Sequence, residues 1–211
     1  MADYLRDPAA IYCESFARVR AETNLSSLPV ALHEVAVRLV HACGMPEITA
    51  DLAWSPTVLP AARTALAIGA PILVDVQMVA CGIRPHGNRV LCTLHDPVVT
   101  SLARRLGTTR SAAAVTLWRE WLAGAVVAIG NAPTALFYLL EWLAAGGPRP
   151  AAILGFPVGF VSAVEAKEAL IDQAGDIPYL TLRGRCGGSA IAAAAVNALL
   201  GGVGQSVPIK G

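Results

Sequence analysis

Charged side chains are scarce in this chain. Asp, Glu, Lys and Arg make up 15% of its 211 residues against 55% hydrophobic, and 16 basic against 15 acidic groups leave a formal net charge of +1. Without a basic excess there is little to neutralise a run of phosphates, which argues against a nucleic-acid partner. So hydrophobic a chain does not stay disordered either. The two common nucleotide fingerprints are also missing. No strand-like segment is followed by G-x-G-x-x-G, and G-x-x-x-x-G-K-[ST] occurs nowhere, which disfavours a dinucleotide or a P-loop nucleotide and with them a nucleotide-dependent oxidoreductase. The five cysteines, Cys13, Cys43, Cys81, Cys92 and Cys186, are odd in number and contain no Cys-x-x-Cys pair. They read as reduced core residues, not as a disulfide framework or a zinc knot. His41 and Cys43 are the only close His and Cys pair, and no further ligands stand near them, so no metal site is expected.

What is present in abundance is uncharged sequence. Trp121 to Leu140 and Cys186 to Ile209 carry no charged side chain, and each is long enough to span a bilayer. The first, however, is interrupted by Gly130-Asn131-Ala132-Pro133, and so reads as a short strand, a turn and a new helix. The second opens with Gly187-Gly188-Ser189, is dominated by alanine and holds Asn197, which suits a buried helix packed on a sheet. Neither is expected to enter a membrane. Met1 to Asp7 has no apolar core that could act as a signal peptide, so a cytoplasmic protein is expected.

The length suits one large domain. Helices are predicted at about 8–22 and 29–43, the second ended by Gly44 and Pro46, and then at 56–68, through Met78, at 97–106, 111–122, 133–145, 162–173 and 188–200. Strands are predicted at 72–74, 90–93, 125–129, 151–154 and 179–182. Short apolar strands separated by helices indicate a mainly parallel sheet covered on both faces. The expected fold is α/β, a three-layer α/β/α single domain over 1–203 with about five strands, followed by a loose tail at 204–211.

In such sheets the ligand crevice lies beyond the carboxyl ends of the strands. Those ends read Val74-Asp75, Ile129-Gly130-Asn131, Leu154-Gly155-Phe156 and Leu182-Arg183-Gly184-Arg185. Glycine admits close backbone approach and helix starts attract anions, so an anionic ligand is expected, although any such fold also needs tight turns there. Of the four histidines, His33, His86 and His95 read as surface or packing residues. His41 stands in the last turn of a helix, where the dipole favours a positive charge and would suit a proton donor, or where it simply packs at a helix end. Arg110, at a helix start after Thr108-Thr109, has the planar fork that suits a carboxylate.

Longer motifs then coincide in order. Ile11-Tyr12 through Ser15-Phe16 with Arg20, Val40-His41-Ala42-Cys43-Gly44, Ala70-Pro71-Ile72-Leu73-Val74-Asp75 with Met78-Val79, Thr109-Arg110-Ser111-Ala112-Ala113, Gly130 to Leu136 and Gly155 to Val161 closely resemble the precorrin-8X methylmutase (precorrin isomerase) family over about residues 4–200. The resemblance implies an isomerase of cobalamin biosynthesis that moves a methyl group from ring carbon 11 to carbon 12 of precorrin-8X, giving hydrogenobyrinate, or cobyrinate from the cobalt form. It implies no external cofactor, a polycarboxylate corrinoid substrate, a homodimer with its pocket near the subunit interface, and hand-over of product to a downstream corrin amidase. His41 falls on the family's proton donor and acceptor. Ser15, Arg20, Asp75, Met78, Asn88, Arg110, Ser111, Asn131, Thr134, Gly187, Gly188 and Ser189 are the expected substrate-binding residues. The stretch from Gly82 to Asn88 is shorter than the family pattern, and Gln77 stands where a glutamate is common. Loss of activity through that loop would leave a corrinoid-binding or delivery protein instead.

Overall fold

The computed structural model describes residues 4–84 and 87–201. The tail expected at 204–211 and His86 lie outside the described residues. Helix α1 (Pro8–Glu22) starts where the Asp7 carboxylate accepts the Ala10 amide at 2.6 Å, with Pro8 fixing the first turn. Helix α2 (Val30–Cys43) ends at Gly44, whose left-handed φ of 72° lets its N–H reach the Val40 carbonyl at 2.7 Å. Then follow a 3-10 turn (Pro46–Asp51), β1 (Leu52–Trp54), α3 (Val58–Ala67), β2 (Ile72–Val74), α4 (Gln77–Gly82) and β3 (Val90–Cys92). The rest comprises α5 (Val99–Leu106), α6 (Arg110–Val115), a second 3-10 turn (Thr116–Trp118), β4 (Val126–Ile129), α7 (Pro133–Ala144), β5 (Ala152–Gly155), α8 (Ala163–Gln173), β6 (Tyr179–Leu182) and α9 (Ser189–Leu200).

The strands form one sheet in the order β1-β6-β5-β4-β2-β3, parallel except for β1 at the edge. The three-layer α/β fold expected from the sequence is present, with six strands instead of about five. The additional strand, β1, is a short edge strand that pairs with β6 alone and joins directly to the preceding 3-10 turn. Helix 111–122 is also corrected: α6 gives way to a 3-10 turn where Trp118 turns inward, its indole N–H donating to Thr93 Oγ1 at 3.1 Å. Alternate strand residues divide between two cores. Ile72, Val74, Val126, Ala128 and Leu154 meet α2, α3 and α9 on one face, while Leu73, Val127, Ile129 and Ile153 meet α7 and α8 on the other. Burial of both faces explains why these strands read as unbroken apolar runs. The cysteines are all free but are not core residues: Cys13 and Cys81 are exposed, and the other three are half-buried.

Two buried charges pin the turns at the carboxyl edge of the sheet. Asp75, directly after β2 and 2% exposed, accepts the amides of Gly130 at 2.9 Å, Asn131 at 3.0 Å and Ala132 at 2.8 Å. Burial pushes its carboxyl above the usual value, against the pull of those three amides. Lys167 on α8 is fully buried and donates from Nζ to the Cys186 carbonyl at 2.6 Å. Burial lowers its amine from 10.5 to about 8.

Asp75→Ala strips three amides of their acceptor and is expected to lower stability by about 3 kcal/mol or more in urea titration, at ~1–3 kcal/mol per unsatisfied buried group. Asp75→Asn, which keeps one carbonyl acceptor, costs less. For Lys167 the unfolded chain holds the extra proton between the native value near 8 and the ordinary 10.5. The stability of the wild type relative to Lys167→Met therefore rises with pH across that window, by up to about 1.4 kcal/mol per unit. Equal pH slopes for the two proteins would rule this out.

Candidate active site

Helices α1 and α2 meet so that Ser15 Oγ lies 3.0 Å from His41 Nδ1. The two residues are 26 positions apart and join only through this helix pairing. A hydroxyl can donate to a bare Nδ1 or accept from Nδ1–H, so it orients the ring in either tautomer. Nε2 makes no hydrogen bond among the described residues. Phe16, one residue along from Ser15, stacks on the imidazole at 4.7 Å between centroids and 26° between planes, and Tyr12 packs on Phe16 at 4.4 Å. The ring is thus held on one face and one edge, and His41 itself remains exposed.

His41 borders an open cavity of about 370 Å³, with Tyr12, Phe16 and Arg38 on its own side and Gly82, Arg84, Ala190, Ala194 and Asn197 across from it. The far wall is built from small residues. A Cβ on Gly82 would stand 2.7 Å from the Ala193 Cβ, so the end of α4 lies directly on α9. Asn197 ties the same segment down, donating to the Gly82 carbonyl at 2.9 Å and accepting from the Arg84 amide at 2.9 Å. The charged lining residues are cationic, so the cavity favours an anion. No helix among the described residues is long and apolar enough to cross a membrane.

The other residues singled out in the sequence stand elsewhere. Arg20 is paired with Glu34 at 2.6 Å. Both oxygens of Asp75 are taken by backbone amides, so the anion that the Gly130 turn attracts is this internal carboxylate. Met78 is 72% exposed on α4. Asn88 donates to the Leu66 and Ala70 carbonyls at 2.8 and 3.0 Å and borders a second cavity, with Arg63 and Leu199. Arg110 and Asn131 are exposed and Ser111 half-buried, while Thr134 Oγ1 lies 2.7 Å from the Oγ1 of Thr109, the N-cap of α6. None of these residues lines the His41 cavity. At 187–189 the chain is packed on its neighbours: Gly188 N–H donates to the Phe156 carbonyl at 2.8 Å, a Cβ on Gly187 would meet that oxygen at 2.5 Å, and Ser189 is buried at the start of α9. Gly130 is equally confined, 2.7 Å separating its would-be Cβ from Ser189 Cα. These glycines serve backbone packing.

Arg38, Arg84 and Asn197 were not among the expected site residues. Arg38 had a signal, since it precedes His41 by three positions and so shares its helix face. Asn197, alone in an alanine helix, had another.

A family model described as precorrin-8X methylmutase matches residues 10–201. The precorrin-8X methylmutase of Pseudomonas aeruginosa is 58% identical over 203 residues, covering 94% of this chain and 98% of that protein. The one from Sinorhizobium sp is 56% identical, covering 93% and 96%, and the cobalt-precorrin-8 methylmutase of Priestia megaterium is 33% identical, covering 91% and 87%. A crystal structure of the precorrin-8X methylmutase of Thermus thermophilus superposes with a TM-score of 0.82 at 40% identity, covering 91% of this chain and 94% of that one. The chain belongs to the precorrin-8X methylmutase family.

Proposed function

We propose that this chain isomerises precorrin-8X by moving a methyl group between neighbouring ring carbons, 11 to 12, with His41 as the acid and base. The observation that carries the reading is the Ser15–His41 pair at the edge of a cation-lined cavity. An isomerisation returns every proton it takes, so the group that protonates the conjugated ring must also take the proton back. Imidazole does both near neutral pH. With Nδ1–H donating to Ser15 Oγ throughout, Nε2 gives its proton to the macrocycle, the electron-poor ring lets the methyl migrate, and Nε2 recovers the proton.

Positioned acids contribute about 10²–10⁴-fold. The remainder falls to holding the macrocycle in a reactive shape against the alanine wall of α9. The relatives at 58% and 56% identity carry the name precorrin-8X methylmutase, whereas the cobalt-precorrin-8 methylmutase of Priestia megaterium is 33% identical. This favours the cobalt-free substrate. Arg110, Ser111 and Thr134 lie outside the cavity of their own chain, which fits a homodimer whose second copy presents them. A cytoplasmic location and hand-over of product to a corrin amidase accord with the same reading.

His41→Ala is expected to lower kcat by about 10²–10⁴-fold with the fold intact, followed by the change in corrinoid absorption. Retention of most of the wild-type rate would remove His41 from the mechanism. Ser15→Ala should lower kcat by roughly 10-fold with KM little changed, since it frees the ring to rotate. Wild-type protein at catalytic amounts should convert an excess of precorrin-8X; binding without turnover would identify a corrinoid carrier instead.

A further inference from the structure

The stripe of α9 that walls the cavity consists of Ala190, Ala193, Ala194 and Asn197, and only the last carries a polar group. Its carboxamide is engaged at both ends. Nδ2 donates to the Gly82 carbonyl at 2.9 Å and Oδ1 accepts from the Arg84 N–H at 2.9 Å, partners 115 and 113 positions away in the chain. Pairing with the carbonyl of one residue and the N–H two residues on is the pattern of a parallel strand. The residue between them, Ile83, is extended at φ −79° and ψ 124° and buried in the core that α9 shares. One side chain thus stands in for a neighbouring strand, and it needs a donor and an acceptor at the spacing of an amide to do so.

Helix α4 has little else to close it. It ends without the left-handed glycine that closes α2, and Ile83 N–H makes one tight bond to the Ala80 carbonyl at 3.2 Å. Arg84, two residues past the helix, borders the cavity across from His41. Its backbone N–H is the atom that Asn197 holds, so the clasp fixes the point from which the side chain sets out. A guanidinium on a long stem recognises an acid more tightly from a fixed root, because less freedom remains to be lost on binding.

We propose that Asn197 is a positioning residue: by clasping the chain on either side of Ile83 it fixes where Arg84 enters the cavity, and so sets the affinity for an acidic ligand placed against His41. This rests on the corrinoid reading above. Asn197 acts through Arg84 and takes no part in proton transfer.

The test is a double-mutant cycle on the full-length protein, read by absorbance titration with a corrin polycarboxylate. Asn197→Leu, close in size but without hydrogen bonds, is expected to weaken binding roughly 10-fold. In turnover KM rises more than kcat falls, since Ser15 and His41 stand on α1 and α2. Hydrogen exchange at the Arg84 amide quickens while both cores stay protected. Arg84→Gln weakens binding by a similar factor, and the double variant by no more than Arg84→Gln alone, because the clasp then has nothing left to position. Losses that multiply in the double variant overturn the proposal and make Asn197 a general support of the fold. So does unchanged affinity in either single variant. Asn197→Asp, which keeps an acceptor for the Arg84 amide and loses the donor, is the milder change, and the same cycle decides the matter with it should Asn197→Leu fail to fold. Failure of the wild type to turn over precorrin-8X overturns the isomerase reading instead, while the cycle in binding still reports on Asn197.

Discussion

The close seating of α9 against the rest of the molecule is the constraint on which the other features depend. Gly130 lets the end of β4 touch its first residue, Gly82 brings α4 onto Ala193, and Gly187 allows the preceding turn to lie on the Phe156 and Pro157 carbonyls. At each point a methyl group would collide. The alanines of α9 are therefore two-sided in effect. Ala192 and Ala195 let the helix sink onto the sheet, and Ala190 and Ala194 leave a shallow, featureless wall opposite His41. Asn197 supplies a polar clasp between this wall and the end of α4.

Electrostatics follows the same division between interior and cavity. The buried carboxylate of Asp75 and the buried amine of Lys167 have backbone partners and are consumed in fixing turns. Glu34, Glu168 and Asp176 each hold an arginine. What faces the cavity is the His41 imidazole and the guanidinium groups of Arg38 and Arg84. Low overall charge thus coexists with a local cationic bias, because no acidic side chain lines the cavity among the described residues.

Much of this was legible in the residues, for stated reasons. Parallel strands buried on both faces announce themselves as apolar runs, and caps such as Gly44 and Pro133 mark helix limits. The edge strand Leu52-Ala53-Trp54 does not, since it follows the 3-10 turn without a break and pairs with one neighbour only. The glycine turns were ambiguous for a different reason. Room for a ligand and room for another backbone make the same demand on sequence, and only the position of Asp75 beneath Gly130 decides between them. Ser15 carried no signal of its own because its partner is 26 residues away on another helix. Arg38 was within reach of the helical repeat, three positions from a histidine already singled out.

The helix that orients His41 is also the one least rooted in the core. Among the residues of α1 only Phe16 is buried, and the helix packs chiefly on α2, away from the sheet. Sub-global opening of this one element would leave both cores untouched while releasing the hydroxyl and the aromatic shelf from the imidazole. Such an opening would free the imidazole to rotate while the sheet and both cores keep their native packing.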